Sequence, residues 1–242
     1  MSQEPIWPEF SFAYQPIVNV RTRTVESYEA LVRGPGGRSA GEVFSKISEA
    51  DKYRFDEMLR ISAVKLAGEI GIKCHLNLNF LPRSLSFSET AISSTLEAAR
   101  SAGIPISSIV IEITENEIID NVTWFRDNII KYREEGVNFS IDDFGAGYSG
   151  LNLLADFQPE SVKIDMSLVH DIESNGPRQA IVRGIIRTCQ DLGIDLIAEG
   201  VETNAECKWF FDEGIDRMQG YFLARPGFET LPVPLLPKYF VA

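Results

Sequence analysis

Short apolar runs alternate with amphipathic stretches along most of the chain. Runs rich in β-branched and aromatic residues, which predict strands, lie at residues 10–20, 24–32, 73–80, 108–114, 137–141, 161–164, 195–198 and about 218–223. Between most of these runs, apolar residues recur at helical spacing. Between residues 54 and 71, for example, the apolar stripe consists of Phe55, Met58, Leu59, Leu66, Ala67 and Ile70. This alternation predicts βαβ units and a mostly parallel sheet.

The alternation continues without interruption, which favours one α/β domain spanning residues 1–242. No Ser/Gly/Pro-rich linker, low-complexity tract or change of composition divides the chain, and α/β barrels commonly reach this length as one unit. Periodicity alone does not separate an eight-stranded barrel from an open doubly wound sheet. No GxxxxGK[ST] motif follows any predicted strand, which weakens the P-loop class of nucleotide-binding open sheets.

Composition and cysteine usage narrow the class of protein. Hydrophobic residues make up 44% of the chain, enough for a large core, and charged residues make up 24%. The three cysteines are widely spaced and form no CxxC motif, so we expect no disulfide framework and a cytoplasmic location. The start of the sequence does not resemble a signal peptide. No apolar run approaches the roughly 20 residues that a membrane-spanning helix needs, so no membrane segment is expected.

The net charge of −12 argues against one class of ligand. With 23 basic and 35 acidic residues, the chain is not expected to bind polymeric nucleic acid, which requires a basic surface. A phosphate-containing ligand would therefore need another source of attraction. Bound divalent cations are the obvious candidate.

Polar residues interrupt the apolar strand runs near their carboxyl ends. Glu112 stands among β-branched residues, on the face opposite Ile111 and Ile113, and it is expected to be buried because both faces of a parallel sheet are covered. Comparable polar residues in or after the other runs are Glu29, Asn77, Asn79, Asp142, Asp143, Lys163, Asp165, Glu199 and Gln219. Carboxyl ends of parallel strands meet at one mouth of a barrel, so these side chains are expected to converge there.

Such a cluster needs compensating positive charge. It would bring one lysine together with the carboxylates of Glu29, Glu112, Asp142, Asp143 and Glu199. Buried carboxylates do not all stay ionised without cations, and oxygen ligands without histidine or thiolate favour Mg²⁺ or Mn²⁺. A single strand-end carboxylate is more often a helix cap or a loop ion pair. The recurrence of the pattern on six or seven strands favours an acidic site for divalent cations.

The motifs at these positions resemble the EAL-domain family of cyclic-di-GMP phosphodiesterases over nearly the whole chain. The matching segments, in the family's order, are residues 14–18, 29–31 with Arg33, 77–79, 112–115, 142–149, 162–165, 198–202 and 219–221. Glu29-Ala30-Leu31 alone is a weak signal, whereas the whole ordered set at the family's spacing is very specific. The resemblance implies a (β/α)8 TIM-type barrel with an antiparallel first strand, and a homodimer.

The resemblance implies two divalent cations, Mg²⁺ or Mn²⁺, and assigns their ligands. The ligands of one cation would be Glu29, Asn77, Glu112 and Asp142. The ligands around the second would be Asp143 and Glu199, with Asp165 as a weaker candidate. Asn79 stands where the family usually has serine, and Gly150 replaces a second serine; neither change removes an assigned ligand.

The resemblance also implies roles in the reaction. Lys163 would position the attacking water and help to deprotonate it, and Gln219 would hold the same water. Gln15 and Arg33 would bind the dinucleotide, Arg33 through a phosphate. Glu202 would support the loop that follows Asp143, while Glu29 and Glu199 would contribute to catalysis through the cations.

The function that the resemblance implies is hydrolysis of cyclic-di-GMP to linear pGpG in bacterial signalling. Two other functions remain open from the sequence. One is a receptor that binds cyclic-di-GMP without cleaving it, although such receptors typically lose a cation ligand or the lysine. The other is a degenerate barrel that regulates a protein partner and binds neither nucleotide nor cation.

Overall fold

Within the described residues, 7–114, 122–147 and 150–237, the computed structural model contains a sheet of nine strands. They are β1 (Ser11–Asn19), β2 (Thr24–Arg33), β3 (His75–Phe80), β4 (Ile109–Thr114), β5 (Asn138–Phe144), β6 (Ser161–Ile164), β7 (Asp195–Ala198), β8 (Arg217–Met218) and β9 (Gly227–Phe228). The motif residues Glu115, Tyr148 and Ser149 lie outside the described residues. Each predicted strand run overlaps one of the first eight strands.

The first eight strands close into a barrel. Parallel pairing runs from β2 to β8 in chain order, and β1 closes the ring by pairing antiparallel with both β8 and β2. β9 adds to β1 outside the ring. Only four residues join β1 to β2, which permits a hairpin but not a crossover, so the first strand must run in the opposite direction. The predicted (β/α)8-type barrel with an antiparallel first strand is confirmed.

Helices lie between the strands and cover the outside of the barrel. Their bounds are α1 (Ala40–Phe44), α2 (Lys52–Glu69), α3 (Ser84–Phe87), α4 (Ser93–Ser101), α5 (Val122–Glu134), α6 (Gly150–Asp156), α7 (Met166–Val169), α8 (Gly176–Leu192) and α9 (Asn204–Asp212). The apolar stripe predicted between residues 54 and 71 belongs to α2, where Phe55, Leu59 and Ala67 are buried. α8 ends as its sequence predicts, at Gly193 with a left-handed φ of +71°.

The strands place apolar and polar side chains on opposite faces. Ile109, Ile111 and Ile113 of β4 are fully buried in the apolar core, while Glu112 of the same strand is fully buried among charged groups. This is the alternation expected of a strand covered on both sides. Cys74, Cys189 and Cys207 are free thiols. Across the described residues, no helix combines the length and hydrophobicity needed to cross a membrane.

Candidate active site

Lys163 of β6 lies at the centre of the acidic cluster. Its side chain is 0% exposed, and its Nζ contacts four carboxylates at distances of 2.7 to 3.4 Å. The contacts, in order of increasing distance, are Glu199 Oε1 at 2.7 Å, Asp142 Oδ1 at 2.9 Å, Glu112 Oε1 at 3.0 Å and Glu29 Oε2 at 3.4 Å. The structure therefore brings together predicted residues from β2, β4, β5 and β6 with Glu199, the residue that follows β7.

Strand register explains why these residues meet. Asn77 lies opposite Glu29 on the neighbouring strand, and Asn79 lies opposite Glu112. Thr114, two residues beyond Glu112, lies opposite Asp142 on the next strand. The polar residues thus step along successive strands, since Glu112 lies opposite Asn79, two residues beyond Asn77, and Asp142 lies opposite Thr114, two residues beyond Glu112. The carboxyl mouth of the barrel is where parallel βα units gather functional side chains.

An irregularity in β5 allows two consecutive aspartates to reach the site. The pairing of β5 with β6 shifts between Ile141 and Phe144. Within this shift Asp143 adopts a φ of +55°, a left-handed conformation that is unusual for a residue other than glycine. Adjacent residues of a regular strand point to opposite faces, so the shift is what lets Asp142 and Asp143 share one cluster.

The carboxylates outnumber the single lysine, and the pKa values of three of them are raised. Burial raises the pKa of Glu112 to about 8 even though Lys163 opposes the change. The pKa of Glu199 is also raised well above its usual range, first by burial and then by the charge of Asp142. Burial and Asp142 raise the pKa of Asp143 to about 6. The site therefore holds more negative charge than its own cation neutralises.

The same excess has the opposite effect on the lysine. Burial alone would lower the pKa of Lys163, because removal from water disfavours the charged ammonium group. The carboxylates of Asp142 and Glu112, followed by Glu199 and Glu29, outweigh this effect and raise the pKa of Lys163 well above its usual value. The direction of this shift favours the charged ammonium form of Lys163.

The donor set fits divalent cations. Oxygen atoms of Glu29, Glu112 and Asp142 lie within 4.8 Å of one another, and so do oxygen atoms of Asp142, Asp143 and Glu199. Among the described residues, the buried Oε2 of Glu112 and Oδ1 of Asn77 accept no hydrogen bond. Buried acceptors need a partner, and oxygen-only groups are the ligands that Mg²⁺ and Mn²⁺ prefer. Two cations sharing Asp142 would satisfy the two clusters.

Two asparagines of β3 support the carboxylates. Asn77 donates from Nδ2 to Glu112 Oε1 at 2.8 Å, and Asn79 donates from Nδ2 to Glu29 Oε1 at 3.1 Å. Asn77 lies two residues deeper in the barrel, where its side chain also lines a cavity with His75. The sequence pattern already counts Asn79 among the polar residues expected at the barrel mouth, since its spacing of two from Asn77 puts both amides on one face of the strand, but the pattern assigns Asn79 no role.

Gln219 and Gln15 complete one wall of the site. Gln219, which directly follows β8, is buried and donates from Nε2 to Glu29 Oε2 at 2.6 Å and to Gln15 Oε1 at 3.2 Å. The amide group of Gln15 in turn donates to the backbone oxygen of Ala224 at 3.1 Å. Gln219 therefore holds Oε2 of Glu29, while Asn79 holds Oε1.

The carboxylate cluster opens into a cavity of about 270 Å³. Asp165 and Glu202 line this cavity, as do Asp143, Glu199 and Gln219. Asp165 also caps α7, since its Oδ1 accepts a hydrogen bond from the backbone of Ser167 at 2.9 Å. The structure thus places Asp165, the weaker ligand candidate, and Glu202, the expected loop support, at the site without putting either in the two oxygen clusters.

Arg33 occupies a different position. It lines a second, larger cavity of about 430 Å³ between the ends of β2 and β3 and the helices α1 and α2. Asn79 and Thr114 line the same cavity, so it borders the carboxyl mouth of the barrel. The guanidinium group of Arg33 donates to the backbone oxygen of Val32 at 2.8 Å.

The fold and site define an α/β barrel protein whose carboxyl mouth carries an acidic cluster suited to divalent cations. The chain belongs to the EAL-domain family, whose model matches residues 4–226.

Relatives of known structure share this barrel. The standalone versatile EAL protein of Vibrio cholerae O395, solved in its c-di-GMP-bound form, is similar with a TM-score of 0.91 and 43% identity, over 98% of this chain and 99% of that one. Klebsiella pneumoniae BlrP1, solved at pH 9.0 as a manganese/cy-diGMP complex, is similar with a TM-score of 0.88 and 40% identity, over 98% of this chain and 60% of that one.

Among curated proteins, the blue light- and temperature-regulated antirepressor BluF of Escherichia coli K12 is 32% identical over 229 residues. The match covers 94% of this chain but 57% of BluF, so the chain spans little more than half of that relative.

Proposed function

We propose that this protein hydrolyses cyclic-di-GMP to linear pGpG with the help of two divalent cations, Mg²⁺ or Mn²⁺. The observation that carries the proposal is the contact of the buried Lys163 ammonium group with four carboxylates at the mouth of the barrel. Two further observations support it. Every carboxylate that the family's motifs supply is present, and similar EAL structures contain the cyclic dinucleotide, in BlrP1 together with manganese.

In the proposed reaction, the oxygen of a water molecule bonds to phosphorus while the bond from phosphorus to the leaving ribose oxygen breaks, which opens the ring. The attacking water loses one proton, and the leaving ribose oxygen gains one to become a hydroxyl group. When bound, the cations would stabilise the charge on the attacking and leaving oxygens and make water a stronger nucleophile at neutral pH. Lys163, held protonated by its carboxylate neighbours, would orient the water by donating a hydrogen bond. Gln219 would hold the same water and keep Glu29 in position.

We propose that the dinucleotide lies across the two cavities. Gln15 lines the catalytic cavity, and Arg33 lines the larger cavity beside it. A guanidinium group offers five N–H donors in a planar fork that matches phosphate oxygens. Arg33 would therefore hold a phosphate at the border of the site, while Gln15 contacts the part of the ligand nearest Glu29.

A regulatory function is the second candidate, because the matched relative BluF is an antirepressor. One assay separates the possibilities: the purified chain is incubated with cyclic-di-GMP and Mg²⁺ or Mn²⁺, and the nucleotides are separated by chromatography. Formation of pGpG supports the phosphodiesterase. Retained but intact cyclic-di-GMP supports a receptor, and the absence of any binding supports a regulator of a protein partner.

We also propose that the protein forms a homodimer in the cytoplasm. Large apolar side chains are exposed on α5 and α6, at Trp124, Ile130 and Leu151, and such surfaces are typical of interfaces. The free thiols agree with a reducing compartment. Sedimentation equilibrium tests the dimer, and a monomer at micromolar concentration would contradict it.

A further inference from the structure

Glu206 of α9 is a buried carboxylate outside the predicted site. It is 3% exposed, and it accepts hydrogen bonds from three backbone N–H groups. Its Oε2 accepts from Glu202 at 2.8 Å and from Thr203 at 2.9 Å, and its Oε1 accepts from Asp171 at 3.0 Å. The bond to Thr203 belongs to a capping box that starts α9. The other two bonds are not needed to cap a helix.

The bonds from Glu202 and Asp171 connect two segments of the chain that both start at the site. Glu202 lies three residues after Glu199, on the loop that follows β7. Asp171 ends the segment that follows β6 and includes α7. Asp171 has a left-handed φ of +55°, a conformation that persists in a non-glycine residue only where surrounding contacts hold it. The Oε1 atom of Glu206 supplies such a contact.

The segment that Glu206 holds contains α7 and packs between two loops of the site. On one side, a Cβ atom at Gly200 would lie 2.5 Å from Met166 Cβ, so the loop after β7 packs directly on α7. On the other side, a Cβ atom at Gly145 would lie 2.5 Å from Leu168 Cδ1, so the loop after β5 packs on the same helix. α7 therefore sets the distance between the loop that follows Asp143 and the loop that contains Glu199.

We propose that Glu206 is a positioning residue that holds α7 between these loops and thereby maintains the geometry of the oxygen cluster formed by Asp142, Asp143 and Glu199. This inference rests on the proposed function, since that cluster is the second of the two cation sites. Glu206 acts through backbone groups and contacts none of the cluster's side chains in the bonds described above. Its charge strengthens all three hydrogen bonds, because an ionised acceptor binds N–H groups more tightly than a neutral one.

Two variants distinguish the proposed positioning role of Glu206 from its role in capping α9. Glu206→Gln keeps one oxygen, which can still serve Glu202 and Thr203 and preserve the capping box. Its NH2 group would face the N–H of Asp171, so the link to α7 is lost. Thr203→Ala is the matched control, because it removes the other half of the box, the bond from Glu206 N–H to Thr203 Oγ1 at 3.1 Å, and leaves all three bonds to the carboxylate.

The experiment combines calorimetric titration with Mn²⁺, amide hydrogen exchange at Asp171, and steady-state kinetics with cyclic-di-GMP. For Glu206→Gln we expect faster exchange at Asp171, and an affinity for the second Mn²⁺ and a kcat that are each lower by about tenfold, the effect of losing one charge-assisted hydrogen bond. KM should stay within about twofold, since the ligand contacts are unchanged. Thr203→Ala should lower thermal stability but preserve Mn²⁺ binding and kcat.

Leu168→Ala removes the packing of α7 against Gly145 and provides an independent test. It should weaken the second Mn²⁺ and leave the first unchanged. Wild-type Mn²⁺ binding in both Glu206→Gln and Leu168→Ala would overturn the proposal, as would an equal loss in Thr203→Ala. If the wild-type chain binds two Mn²⁺ but forms no pGpG, the phosphodiesterase assignment fails while the positioning role is still decided by the exchange and titration data.

Discussion

At the scale of single residues, the site is defined by mutual dependence between one lysine and its carboxylate neighbours. A buried ammonium group without partners would be strongly destabilising, and so would buried carboxylates without a cation. Lys163 contacts four carboxylates, and two amides and a glutamine hold the carboxylate oxygens of Glu29 and Glu112. Removing any one of these groups should therefore affect the others.

Lys163→Met replaces the ammonium group with an apolar side chain of similar length. We expect the rate of pGpG formation to fall by about 10²- to 10⁴-fold, because the water is no longer oriented by a protonated donor. Binding of cyclic-di-GMP should largely remain, since the cations and Arg33 still hold phosphate. Single-turnover kinetics and equilibrium binding measure the two effects separately. A wild-type rate would exclude Lys163 from the reaction.

Asn77 and Asn79 provide a matched pair on one strand. We expect Asn79→Ala to lower Mn²⁺ affinity by about tenfold, because its amide holds Glu29 and it lies opposite Glu112 at the carboxyl end of β3. Calorimetric titration of both alanine variants is the measurement. A loss confined to Asn77→Ala would instead support Asn77 as the amide ligand, as the sequence motif implies.

At the scale of elements, close packing of backbone against backbone determines where the strand ends place their side chains. Gly220 follows Gln219, and a Cβ atom added there would lie 2.0 Å from the backbone oxygen of Val201. A neighbouring backbone cannot rotate away as a flexible side chain can. Gly220 therefore lets the segment after β8 approach the loop after β7 and brings Gln219 into the site.

Gly220→Ala should consequently displace this segment. We expect a loss of unfolding free energy of about 1–3 kcal/mol, from overpacking against backbone, and a lower kcat because Gln219 moves. Gly184→Ala is the control, since it lies in α8 with nothing within 4 Å of the added Cβ, and it should be neutral or stabilising. Urea denaturation of both variants measures the difference. Equal stability of the two would show that the segment tolerates the displacement.

At the scale of the whole molecule, the excess of buried acid couples stability to pH and to cations. In the cation-free protein the pKa of Glu112 is about 8 and that of Asp143 about 6, each above its ordinary value of 4.5 and 3.8. Between the ordinary and the raised pKa of each group, the folded state therefore binds more protons than the unfolded state. Stability from these groups is present below pH 4 and is lost as pH rises through about 6 and then about 8.

We accordingly expect cations to stabilise the protein more at pH 8 than at pH 5. For each proton that the folded state alone retains, the unfolding free energy of the cation-free protein should fall by about 1.4 kcal/mol per pH unit. Thermal unfolding in EDTA and in Mn²⁺ across this range provides the measurement. Glu112→Gln is the control, because it removes the carboxyl group whose pKa is about 8. Identical pH profiles with and without Mn²⁺ would contradict the expectation.

Local pattern determined the elements and the chemistry of this protein. Alternation along β4 places Glu112 opposite the isoleucines, and strand–helix alternation predicts βαβ units, because both periodicities are properties of a short stretch of chain. The absence of histidine and thiolate near the predicted ligands likewise favours oxygen-binding cations. Residue type and spacing alone therefore identified Glu29, Glu112, Asp142, Lys163 and Glu199.

Tertiary structure decided how deep each of these residues lies and what it touches. The level of Asn77 and Asn79 depends on the register of β3 against its neighbours, which is set by closure of the barrel. The turn of Asp143 into the site requires the register shift in β5, and Glu206 meets Asp171 only because α7 packs between two loops. These contacts join segments that are far apart in sequence, and no local periodicity encodes them.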